Sequence, residues 1–196
     1  GRVRDILVLG IGGSALGAVA LERALREPLL ALRDPEAPRL FVADNIDPET
    51  FTAILGALRW EHTLVVVISK SGTTAETMSQ FLIVREELLR RFGPAGARER
   101  IVAVTDPTKG VLRAIAQKEG YRTLPVPPAV GGRFSVLTPV GLFPAALCGM
   151  DIEELMAGAR RMAARCATPR LEENPAYHNG AVQYLYDHHR RMRIHV

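Results

Sequence analysis

Cysteine is nearly missing from this sequence. Cys148 and Cys166 are the two present, without CxxC spacing, and Cys148 falls in an apolar helical pattern. That argues against a disulfide scaffold or a thiolate metal cluster, predicts a buried free thiol, and fits a reducing cytoplasm. Long hydrophobic runs are missing too. The longest, Thr63 to Ile68 and Val140 to Cys148, fall well short of the roughly 20 residues of a membrane span, so none is expected. The first residues carry no basic n-region, cleavage site or Arg/Ser-rich leader, and no export is expected. Lysine, asparagine and glutamine stand at three each against 22 arginines, an amide-poor balance seen in some heat-adapted proteomes. Dense basic runs are absent despite a formal charge of +4. Only Arg90-Arg91, Arg160-Arg161 and Arg190-Arg191-Arg193 cluster, near ends of expected helices, where cations complement the helix dipole. No nucleic-acid partner is expected, while a small anionic substrate stays compatible.

What is present is periodic. At 196 residues and 47% hydrophobic, the chain can bury one sizeable core. Strand-like runs occur at Ile6 to Leu9, Leu40 to Ala43, Leu64 to Ile68 and Ile101 to Thr105. Helical spacing occupies Ser14 to Arg26, Pro48 to Leu58, Thr74 to Phe92 and Val111 to Glu119, giving an alternating β-α order. Near-continuous apolar strands such as Leu64 to Ile68 fit a parallel sheet covered on both faces. The expected fold is therefore α/β, doubly wound. A fifth strand is predicted at Thr123 to Val126, then helices near Ser135 to Gly149, Ile152 to Ala167 and Asn174 to Arg191. Arg33 to Arg39 and Gly93 to Arg100 read as surface loops, and Arg193 to Val196 as the start of another strand. Residues 1–150 read as one domain and 151–196 as a helical extension, with both chain ends looking like cuts in a longer protein.

Three segments carry chemistry. The first strand runs into Gly10-Ile11-Gly12-Gly13-Ser14-Ala15 at the start of a helix, where bare backbone N–H groups and a positive dipole end favour an anion. The same run satisfies a loose dinucleotide fingerprint, but the acidic residue expected about 20 positions on is missing, Asp44 lying further away. The third strand ends in Ser69-Lys70-Ser71-Gly72-Thr73-Thr74, then Ala75-Glu76-Thr77. Those hydroxyls suit phosphate oxygens, and a capping box of Thr73 with Glu76 is the competing use. If the first and third strands flank a reversal of strand order, both loops face one crevice. Finally Gly131-Gly132-Arg133-Phe134-Ser135 joins close backbone approach to a permanent cation, which either stabilises a developing oxyanion or forms a structural salt bridge.

Taken together, Gly10 to Gly17, Ser69 to Thr77 and Gly131 to Gly141 resemble the glucose-6-phosphate isomerase family in order and spacing, and Phe41 to Pro48 is similar to its second strand. The resemblance implies the N-terminal sugar isomerase (SIS) domain of such an enzyme, a flavodoxin-like three-layer αβα sandwich on a five-stranded sheet. A second SIS domain would follow. It implies an aldose–ketose isomerase interconverting glucose 6-phosphate and fructose 6-phosphate through a cis-enediolate, in glycolysis and gluconeogenesis, as a homodimer, with no metal or cofactor. Gly13, Ser14 and Gly132 would contact substrate, Ser69, Lys70, Ser71, Gly72, Thr73 and Thr74 would form the phosphate loop, and Arg133 would stabilise the enediolate. The family's proton-transferring glutamate, and the histidine and lysine that assist ring opening, match no segment here. None of His62, His178, His188, His189 and His195 sits in a matching motif. Two departures are Gly72, where many members carry a bulkier residue, and Ala15, where they carry an acid. SIS domains also occur as ligand sensors in transcriptional regulators, but a sensor has no use for Arg133 beside an enediolate.

Overall fold

The computed structural model describes residues 3–27 and 30–191, the side chains of 31 and 32 excepted. The runs of Val, Ile and Leu form a five-stranded parallel sheet of β1 (Asp5–Leu9), β2 (Arg39–Ala43), β3 (Thr63–Ile68), β4 (Ile101–Thr105) and β5 (Arg122–Pro125). The strand order is β2-β1-β3-β4-β5, so the chain winds one way from β1 and the other way from β3. The switch point lies between β1 and β3, which pair with Ile6 opposite Leu64 and Leu9 opposite Val67.

Period-two alternation divides the strands between two cores. Leu7, Leu9, Val65, Val67, Ile101 and Ala103 point to a face covered by α3 (Pro48–Ala57), α4 (Ala75–Glu99) and α5 (Val111–Glu119), through Phe51, Phe81, Val84, Leu88 and Leu112. Ile6, Val8, Val66, Ile68 and Val104 point to the other, covered by α6 (Pro139–Leu147) through Val140, with α1 (Leu16–Leu25) against α6. Every residue of β1 and β3 is buried, which explains why neither strand shows a polar face. Each such Val or Leu contributes about 1.5–3 kcal/mol of burial free energy. The free thiol of Cys148 lies in the second core, where burial pushes its pKa up to about 11.

The amino end of the sheet is tied by charge. Asp5, fully buried at the head of β1, accepts from Arg39 Nε and Nη2 at 2.8 Å each, and from the Arg59 backbone N–H and Nη2 at 2.7 Å each. Burial alone would push its carboxyl pKa up; the hydrogen bonds from Arg39 and Arg59 outweigh that and hold it far below the ordinary range.

Three expectations need correction. Gly93 to Arg100 is not a loop: Gly93 leaves helical geometry at φ 66° and ψ −178°, Pro94 suits a restarting first turn, and the helix continues to Glu99 with Ala97 buried. The helix expected from Ser14 opens as a 3₁₀ turn, Gly12–Ser14, with α1 proper starting at Leu16. The helix expected from Ser135 begins at Pro139, because Thr138 accepts from the Val140 N–H and sets the start there. A short helix, α2 (Leu30–Arg33), ends where the other expected loop begins, and the strand read at Arg193 to Val196 lies outside the described residues.

The chain divides into two compact units, Gly1–Met150 and Asp151–Val196. The second contains α7 (Ile152–Arg165), capped by Asp151, and α8 (Pro175–Arg190), capped by the buried Asn174. Asn174 Nδ2 also donates to the carbonyls of Cys166 and Thr168, closing the turn between these helices. Among the described residues no helix is long and apolar enough to cross a membrane.

Candidate functional site

Parallel strands deliver their exit loops to one edge, and here the exits of β1, β3 and β4 border a cavity of about 470 Å³. That volume suits a small molecule. Ser14 comes from the first exit, Ser69, Lys70, Ser71 and Thr74 from the second, and Asp106, Lys109 and Gly110 from the third.

The second exit is held from outside. Thr105 Oγ1 donates to the Ser69 carbonyl at 2.7 Å, the Asp106 N–H to the Lys70 carbonyl at 3.3 Å, and the Val111 N–H to the Ser71 carbonyl at 3.0 Å. Gly72 has φ 69°, and a Cβ there would stand 2.1 Å from Leu112 N. A bulkier residue has no room in this arrangement, so the departure at position 72 belongs with the way the loop seats on α5. Within the loop Ser69 Oγ accepts from the Gly72 N–H at 3.0 Å, and Ser71 Oγ pairs with Thr73 Oγ1 at 2.8 Å.

The capping box expected of Thr73 and Glu76 does not form. Thr74 is the N-cap of α4 and makes no side-chain cap, its hydroxyl lying 3.4 Å from Ser69 Oγ, while Thr73 sits one residue too early to reach the N3 amide. The first-turn N–H groups of Ala75, Glu76 and Thr77 therefore find no acceptor among the described residues.

The first exit meets the Gly131–Ser135 segment backbone to backbone. A Cβ on Gly13 would lie 2.3 Å from both the carbonyl C and O of Gly132, so only glycine permits this approach. The buried Ser135 hydroxyl is 2.6 Å from the Gly132 carbonyl and 3.3 Å from that of Gly13, securing the contact. Gly132 to Phe134 form a 3₁₀ turn presenting Arg133, exposed and with neither ion pair nor hydrogen bond among the described residues. Arg133 thus stands beside the first exit but is not one of the residues lining the cavity. The salt-bridge reading of Arg133 gains nothing from this geometry.

Of the residues singled out from sequence, Ser14, Ser69, Lys70, Ser71 and Thr74 come together around the cavity. Gly72 and Thr73 shape the loop, and Gly13 and Gly132 form the contact between exits. Lys70 turns its ammonium to the Pro-rich approach, donating to the carbonyls of Pro128 at 2.5 Å and Val130 at 3.1 Å. Sequence reasoning missed Asp106, Lys109 and Gly110. Their signal was the turn-forming Asp-Pro and Lys-Gly pairs closing a strand next to β3. Asp106 Oδ1 accepts from the Thr108 N–H at 2.9 Å, Thr108 Oγ1 at 3.1 Å and the Lys109 N–H at 3.0 Å. The Thr108 amide, then that of Lys109, keeps its carboxyl below the ordinary pKa although burial opposes this.

His62 stands before β3 at the opposite end of the sheet; His178, His188 and His189 lie on α8, and His195 is outside the described residues. No group of three or more His, Cys, Asp or Glu side chains able to hold a metal occurs among the described residues.

Comparison with known proteins gives this arrangement its relatives. A glucose-6-phosphate isomerase from Rubrobacter xylanophilus is 48% identical over 98% of this chain and 44% of its own length, and one from Carboxydothermus hydrogenoformans 50% over 94% and 40%. The chain thus spans less than half the length of these curated relatives. Among solved structures, a hypothetical protein from Thermus thermophilus superposes with a TM-score of 0.85 at 39% identity, covering 95% of this chain and 42% of that one. A glucose-6-phosphate isomerase from Chlamydia trachomatis gives 0.77 at 28%, covering 95% and 34%. The model of the family described as phosphoglucose isomerase matches residues 1–195, and with these relatives it shows that the chain belongs to the phosphoglucose isomerase family.

Proposed function

We propose that this chain is the sugar-phosphate-binding part of an aldose–ketose isomerase that interconverts glucose 6-phosphate and fructose 6-phosphate. The supporting observation is the cavity at the exits of β1, β3 and β4, where Ser14, Ser69, Ser71 and Thr74 face uncapped N–H groups of α4. Hydroxyls and a positive helix end together suit a phosphoryl group. Ser69, Lys70, Ser71, Gly72, Thr73 and Thr74 are the phosphate loop in this reading, with Gly13, Ser14 and Gly132 nearer the sugar. The unit Gly1–Met150 does the binding and Asp151–Val196 is a helical extension. The intact enzyme is a cytoplasmic homodimer.

Isomerisation moves a proton between C2 and C1 of the open-chain sugar, passing through a cis-enediolate whose oxygens carry negative charge. Arg133, free of any carboxylate partner among the described residues, is assigned to that charge. The proton itself needs a base whose pKa lies near working pH. Asp106 is the one carboxylate lining the cavity, and the Thr108 amide, then that of Lys109, holds its pKa below the ordinary range, which makes it a poor base. The base is assigned to residues other than those described.

The test is conversion of fructose 6-phosphate to glucose 6-phosphate by the full-length gene product, wild type beside Arg133→Ala, each checked for folding. Loss of about 10²–10³ in kcat with substrate binding retained is the expected result for removal of an oxyanion partner. A folded wild type that binds the sugar phosphate and never converts it overturns the isomerase in favour of a sensor.

A further inference from the structure

The charges lining the cavity are three: Lys70, Asp106 and Lys109. Lys70 has its ammonium on the carbonyls of Pro128 and Val130, where it clasps the segment leading to Gly131. An ammonium so placed has at most one of its three donors left. Asp106 brings a negative charge that would repel a phosphoryl dianion. Lys70 and Asp106 together leave the lining neutral, so the sign of the cavity is decided by Lys109.

Lys109 is built to decide it. Its side chain is exposed at the cavity edge and makes no ion pair or hydrogen bond among the described residues. Its backbone is fixed, because Asp106 Oδ1 holds its N–H at 3.0 Å and that of Thr108 at 2.9 Å. Gly110 follows with φ 105°, and a Cβ there would lie 2.6 Å from the Ser71 carbonyl oxygen, so the turn carrying Lys109 is seated against the loop of Ser69 to Thr74.

We infer that Lys109 is the cation that anchors the phosphoryl group, and that Asp106 is the positioning residue that holds the Lys109 backbone over the cavity. Lys70, by contrast, acts as a clasp between the second exit and the Pro-rich approach. The inference rests on the sugar-phosphate reading above and adds the residue that makes the site select dianions.

The probe is inorganic phosphate, with fructose 6-phosphate beside it, titrated calorimetrically into the full-length gene product. Lys109→Gln is expected to weaken phosphate binding about tenfold and to flatten its dependence on salt, since one charge-assisted contact is lost. Lys109→Arg should recover most of the affinity, and Asp106→Asn, which keeps an acceptor for the Lys109 N–H and removes a repelling charge, should bind phosphate at least as tightly as wild type. A folded Lys109→Gln protein that binds phosphate within twofold of wild type, with the same salt dependence, overturns the inference and leaves the sugar-phosphate reading standing. Wild type that binds neither probe overturns both.

Discussion

Gly13→Ala tests whether two turns must touch for Arg133 to work. The added Cβ would stand 2.3 Å from the carbonyl C and O of Gly132 and 2.9 Å from Arg133 N, against ordinary contact from about 3.4 Å. All three atoms are backbone, so no rotamer change relieves the clash, and Ser135, held to both carbonyls, resists separation. The 3₁₀ turn carrying Arg133 must retreat by about 1 Å, at an overpacking cost of about 1–3 kcal/mol. A displacement of about 1 Å at a reacting centre costs on the order of 10²-fold in rate. The loop of Ser69 to Thr74 is fastened instead to Thr105, Asp106 and Val111, and so stays in place. Steady-state kinetics on the folded full-length variant should therefore show kcat down about 100-fold and KM for fructose 6-phosphate changed by no more than about threefold. A folded variant with kcat within threefold of wild type refutes the reasoning, because Arg133 would then not depend on the contact between the exits.

Two further outcomes are expected elsewhere. Ser71→Ala combined with Thr74→Ala removes two hydroxyls from the cavity and should weaken fructose 6-phosphate binding about 50-fold in a calorimetric titration without lowering the unfolding midpoint; unchanged affinity would remove the phosphate-loop assignment. Asp5→Asn leaves Arg39 and Arg59 without their buried anion and should cost about 3 kcal/mol in urea unfolding at pH 7. Because the folded-state pKa of Asp5 is depressed, its stabilisation is complete above the unfolded value near 4 and drains away as pH falls below it. The gap between wild type and Asp5→Asn must therefore narrow at pH 3, and parallel stabilities at both pH values would contradict this account.

The strands were legible because parallel strands buried on both faces must be apolar throughout, as Leu64 to Ile68 is. The same logic placed the first and third exits on one crevice, since ligands collect where strand order reverses. The far end of α4 was not legible, because Gly93-Pro94 is a breaker by composition, whereas the chain resumes a helix beyond it with Ala97 buried in the core. Lys109 escaped notice for a related reason. Its role depends on Gly110 seating against Ser71, a contact across the sheet that no local pattern carries, whereas Lys70 stood inside a conspicuous hydroxyl loop and had its donors drawn away by Pro128 and Val130, about 60 residues later in the chain.

Helix capping differs between the helices that follow the cavity-bordering exits and four others of the chain. α3, α6, α7 and α8 begin on Asp47, Thr138, Asp151 and Asn174, each accepting a first-turn N–H, which stabilises a helix by about 1 kcal/mol. α1, α4 and α5 begin on Ala15, Thr74 and Gly110 with no side-chain cap, and these are the three helices that follow the exits bordering the cavity. Capping chemistry is not lacking there, since serine and threonine crowd the start of α4; their hydroxyls are turned to one another and to the cavity. The folded chain thus forgoes stabilisation where donors converge. In the proposed reading a bound phosphoryl group would supply acceptors to the uncapped start of α4, so its binding should raise the stability of the protein as the logarithm of ligand concentration over Kd.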